Sequence, residues 1–93
     1  MPVNYLNKTT LFPCLMEVAF GASWRHAGMN QLKQTGPARE VALYIGHVSR
    51  FAGHGVQVVN LLQERARFCR GDLRCPKAVG EVLARVQTYS RRC

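Results

Sequence analysis

Residues 36 to 56, GPAREVALYIGHVSRFAGHGV, constrain the fold more than any other stretch. Gly36 suits the cap of a helix and Pro37 its first position, where an N–H would be unpaired anyway. Ala38, Val41, Ala42, Ile45, Val48 and Ala52 then recur at three- and four-residue spacing, the mark of an amphipathic helix. Leu43, Tyr44 and Phe51 widen the apolar surface beyond that stripe, which predicts a central helix covered on more than one side. Gly-His-Gly at 53 to 55 ends it, because glycine frees the backbone for positive φ. His47, one turn from both Tyr44 and Phe51, reads as a packed, hydrogen-bonded histidine rather than a ligand.

The same periodicity organises the remainder. No strand alternation and no hairpin dipeptide occurs, so the fold class is all-α, a small bundle of about five helices. A first helix is expected from Thr9 or Thr10, with Pro13 in its first turn, Leu11, Leu15, Val18 and Ala19 on one face, and Gly21 as its stop. Ser23 can cap a short second helix over Trp24 to Ala27, ended by Gly28, with Trp24 locking that corner onto the core. After the central helix, a fourth runs from about Val56 to Cys69 with Val56, Val59, Leu62, Ala66 and Cys69 inward. Pro76 opens a fifth, with Val79, Val82, Leu83, Val86 and either Tyr89 or Ser90 inward. Gly80 inside it costs about 1 kcal/mol against alanine and suggests a close helix contact. The chain reads as one domain over residues 1–93, with 1–9 a flexible arm and 90–93 a frayed basic tail.

With 93 residues, a domain buries about two thirds of its unfolded surface, a thin margin. No apolar run is long enough to span a bilayer, and no secretory leader is visible. Reduced thiols and a cytoplasmic location are therefore expected. Cys14 and Cys69 read as small buried thiols. The spacing of Cys69 and Cys75 is not that of a zinc site, so no metal and no cofactor is expected.

Thirteen Lys and Arg stand against five Asp and Glu, a net +8. From Arg65 onward there are eight basic residues and only Asp72 and Glu81 as acids, so this last third holds +6 of the charge. Such a field favours a polyanion or an acidic protein face. Catalysis has little support: no phosphate loop and no nucleophile motif occurs. Arg-Gly-Asp at 70–72 matches an adhesion tripeptide, a match too short to weigh. The last two helices form a hairpin whose bend is rich in arginine. In a helix-turn-helix the second helix enters the major groove by its N-terminal end, where Arg70, Arg74 and Lys77 lie. Arg65, Arg67 and Arg85 can hold the phosphate backbone.

A family resemblance supports that reading. MEVAFGASWRHAGMNQLKQTGPAREVALYIGHV (16–48) resembles the opening of the C-terminal DNA-binding domain of bacterial chromosomal replication initiators, with EVAFGAS and AREVALYI at two family phrases. GHGVQVVNLL (53–62) resembles the first helix of that family's helix-turn-helix. Arg39 is the one motif arginine that matches. The family's reading-helix phrase, R-D-H-T-T-V, is absent, and CRGDLRCPKAVGEV stands in its region. The resemblance implies a small regulator of bacterial or phage type that binds double-stranded DNA without catalysis. The alternative is a helical module that binds an acidic or apolar protein surface, or pairs with itself as a homodimer. The two differ in one physical requirement. DNA binding needs the arginines on one face, and protein binding needs an exposed apolar patch.

Overall fold

A computed structural model describes residues 8–22, 24–26, 36–72 and 75–93. The chain is a small all-α bundle. Helix α1 spans Lys8–Phe20, α2 Gly36–Ser49, α3 Gly55–Gly71 and α4 Lys77–Tyr89, and a 3-10 turn, Ser90–Arg92, closes it. Residues 24–26 form a further helical turn. No strand occurs among the described residues. The arm at 1–7, Ser23, Gly28 and Arg74 lie outside the described residues.

Each helix presents one apolar stripe to a common core. Leu11, Leu15, Met16 and Ala19 come from α1, and Val41, Ala42, Ile45 and Val48 from α2. Val58, Leu62, Ala66 and Cys69 come from α3, and Val79, Leu83 and Val86 from α4. Gly21, at φ +80°, ends α1 as expected, and its N–H returns to the Glu17 carbonyl at 2.8 Å. Gly53, at φ +92°, turns the chain between α2 and α3. Trp24 stands edge-on to Phe12, with ring centres 6.1 Å apart, and so ties its turn to α1.

Several expectations are corrected. Pro13 lies in the second turn of α1, not the first. The buried stripe of α3 is 58, 62, 66 and 69, so Val56, about 120° round the helix from it, is 77% exposed. At the end of α4 it is Ser90 that is buried, its hydroxyl donating to the Gln87 carbonyl at 2.9 Å, while Tyr89 faces outward. His47 is exposed, set between the rings of Tyr44 at 5.6 Å and Phe51 at 5.8 Å.

The largest correction concerns the cysteines. None is free. Cys14 of α1 pairs with Cys93, with Cα atoms 5.8 Å apart, and Cys69 pairs with Cys75, 5.0 Å apart. The tail is therefore not frayed. It coils into the 3-10 turn and is bonded to the first helix. The second bridge closes the bend between α3 and α4.

Gly80 is where α4 meets α3. A Cβ there would stand 3.1 Å from Arg70 Cγ, 3.2 Å from the Ala66 carbonyl oxygen and 3.3 Å from Cys69 Cβ. The carbonyl belongs to helix backbone and Cys69 is held by its bridge, so neither yields easily. Gly46 differs: its added Cβ would meet only Phe12, at 3.8 Å.

Two predictions follow from these contacts. Gly80→Ala should lose about 1 kcal/mol net, because overpacking outweighs the helix-propensity gain. Gly46→Ala should gain up to about 1 kcal/mol. Urea midpoints check both, and a stabilised Gly80→Ala would refute the close approach. The bridges close loops of 79 and 6 residues in sequence separation. Loop entropy then predicts a loss of about 4 kcal/mol for Cys14→Ser/Cys93→Ser and about 2 kcal/mol for Cys69→Ser/Cys75→Ser. Equal losses by the same measurement would contradict that account.

Candidate functional site

The arginines expected to share one face take different paths. Arg65 lies on the flank of α3 that faces α2. Its guanidinium sits over Tyr44 at 5.7 Å and Phe68 at 5.1 Å. Arg70 is five residues on, about 140° round the helix. Its stem lies against Gly80 of α4, and its Nε donates to the Ala66 carbonyl at 3.3 Å. Arg85 donates from Nη2 to the carbonyl of Ala19 at 3.0 Å, where α1 ends. A cation is favourable there, because the last carbonyls of a helix carry partial negative charge. Arg67 and Lys77 are exposed, Lys77 as the first residue of α4. Arg39 is exposed on α2. Arg67, Arg70 and Lys77 thus stay exposed on α3 and the start of α4, while Arg65 and Arg85 are drawn elsewhere. The Arg-Gly-Asp stretch is no extended loop: Arg70 and Gly71 are the last residues of α3, and Asp72 caps it.

The feature that sequence reasoning missed lies between α2 and α3. Two adjoining hollows, about 290 and 350 Å³, share Glu40 and Arg65 as walls. One continues to Phe68, Asp72 and Cys75 and the other to Leu43, Tyr44 and His47. Together they form an open groove. Its residues follow helical spacing on both sides: 40, 43, 44 and 47 on α2, and 65 and 68 on α3 with Asp72 at its cap. Leu43 is 61% exposed and Phe68 49%. A third hollow, about 620 Å³, lies along the start of α3 and is lined by His54, Val56, Leu61 and Glu64 among others. The groove floor is fixed by one cross-link, the Tyr44 hydroxyl donating to the Leu61 carbonyl at 3.0 Å. Burial pushes the Tyr44 hydroxyl above the ordinary tyrosine pKa of 10.0, Arg65 opposes this and Glu64 adds to it. The hydroxyl therefore stays protonated and keeps its donor role at neutral pH.

The sign of this face is opposite to that of the whole chain. Glu40, Glu64 and Asp72, three of the five acidic residues, line these hollows against Arg65 as the one arginine. A signal for the groove was present in the sequence: Leu43, Tyr44 and Phe51 gave α2 more apolar surface than its core stripe needs. Chemically the groove offers aromatic faces and carboxylates together, which suits a cation carried on an apolar stem. Among the described residues no three His, Cys, Asp or Glu side chains gather to hold a metal, and no helix is long and apolar enough to cross a membrane. Comparison with protein families, with curated proteins and with solved structures finds no match for the chain.

Proposed function

We propose that the chain is a disulfide-stapled helical module that binds another protein chain in the groove between α2 and α3. The observation that carries this reading is the exposed Leu43 and Phe68 beside the Arg65 guanidinium, with Glu40 in the groove wall and Glu64 in the hollow beside it. Exposed apolar side chains ringed by charged ones mark an interaction surface. The partner expected from net charge alone was acidic. The local charge of the groove favours a basic segment with an apolar or aromatic anchor instead. Binding there needs no catalytic group and no cofactor. Two bridges in a chain this small favour an oxidising compartment over a cytoplasmic one, because glutathione keeps cytosolic thiols reduced.

A photoreactive phenylalanine analogue placed at position 68 tests the reading in the producing cells. A discrete cross-linked product is expected from position 68 and none from position 81, on the outer face of α4. Equal labelling from both positions would remove the case for the groove.

DNA binding is the second reading, favoured by one observation. Arg67, Arg70 and Lys77 remain exposed, and the first turn of α4 carries no acidic residue. The resemblance to replication initiators points the same way. If it holds, affinity for random duplex DNA falls steeply between about 50 and 200 mM salt, as condensed counterions are released. Arg67→Ala/Arg70→Ala should flatten that slope by about two phosphate contacts. A slope near zero for the parent protein in a fluorescence-anisotropy titration would dismiss this reading.

A further inference from the structure

We infer that the segment which fits the groove is carried by the chain itself, so that one copy docks its C-terminal corner into the groove of the next. This rests on the protein-binding reading above. Among the described residues four large apolar side chains are exposed. Leu43 and Phe68 belong to the groove, and Val56 to the hollow beside it. The fourth, Tyr89, is 40% exposed at the other end of the chain. It carries the Arg92 guanidinium 4.7 Å over its ring, with Arg91 exposed beside it. An acidic groove with aromatic walls and a basic aromatic corner are thus two halves of one contact.

The groove already shows what it holds. The guanidinium of Arg65 rests between Tyr44 and Phe68. A second cation arriving with an aromatic ring finds Glu40 in the groove wall and Glu64 in the adjoining hollow. The corner is ordered before binding. Cys93 is bonded to Cys14, its N–H donates to the Ser90 carbonyl at 3.0 Å, and Ser90 is buried. Little conformational entropy is left to lose on docking.

Charge also selects the geometry. Groove against groove sets carboxylates against carboxylates, and corner against corner sets arginines against arginines. Only groove against corner joins unlike charges. Such a contact is heterologous, so it leaves a free groove and a free corner and propagates into rings or filaments. The net +8 of each copy opposes this at long range, but salt screens that repulsion beyond about 8 Å at physiological ionic strength. The patches are small, so the contact is weak and forms at high local concentration.

Sedimentation velocity of the purified, disulfide-intact chain from about 10 µM to about 1 mM tests this, using Glu40→Lys/Glu64→Lys and Arg91→Glu/Arg92→Glu. The parent should grow past dimer as concentration rises, and each variant alone should stay monomeric. An equal mixture of the two should associate again and grow, since native groove meets native corner and reversed groove meets reversed corner, each joining unlike charges, whereas a mixture of the glutamine versions should stop at dimers. If a charge reversal alters the circular-dichroism melt, the glutamine versions of both pairs replace it and should weaken association in the same order. A parent that stays monomeric, or a mixture no larger than its components, overturns the proposal. In that event a cross-link from position 68 to a foreign protein leaves the groove reading standing, whereas no cross-link at all removes both.

Discussion

The close approach of α4 to α3 at Gly80 is the constraint on which the other arrangements rest. Any side chain there would stand closer than ordinary contact to the Ala66 carbonyl, the Cys69 Cβ and the stem of Arg70, and would push them apart by a few tenths of an ångström. With hydrogen in that place, α4 lies against the flank of α3 and buries Cys69, from which Cys75 is reached across the bend. Arg70 is laid along the joint and spends its Nε on Ala66. The opposite flank of α3 faces α2 across an open groove, bridged by the Tyr44 hydroxyl. The groove is thus the open counterpart of the tight joint: one flank of α3 shuts on α4 and the other is left to water.

Much of this was legible in the sequence. Periodicity located four helices and most of their inward residues, and glycine marked the turns at 21 and 53, where φ is positive. Its errors have a common cause. In α3, valines stand at 56, 58 and 59, so apolar content alone leaves the phase of the helix open. The helix begins at Gly55 and its stripe runs through Val58. At the other end, Tyr89 and Ser90 compete for one inward place, and the smaller serine takes it because its hydroxyl finds the Gln87 carbonyl. Hydrophobicity ranks these two the other way. The choice turned on hydrogen-bond satisfaction, which periodicity does not see.

The disulfides and the arginines were illegible for a different reason. A bridge over 79 residues depends on where two ends meet in space, and spacing carries no trace of that. Arg85 reaches the end of a helix 66 residues earlier. Long side chains choose among partners within their reach, so a cluster along the chain need not become a cluster on the surface. Arg65 and Arg70 illustrate this, since five residues on a helix turn neighbours in sequence toward different neighbours in space. The groove itself was half legible: the excess apolar surface of the second helix was visible, while the carboxylates that join it come from two helices.

Net charge therefore misdirects when it is read as a property of each face. Three carboxylates in the linings of these hollows leave the remainder of the surface more basic than +8 alone implies. A basic protein with an acidic aromatic groove is electrically polarised along its own surface, and polarised particles associate with a direction. The bridges matter here beyond stability. By tying Cys93 to Cys14 and Cys69 to Cys75, they hold the basic corner and the end of the acidic groove in fixed relation to one bundle. A flexible tail with the same arginines could fold back onto its own groove and silence it. A tail fixed to α1 by a covalent bond is not free to do so.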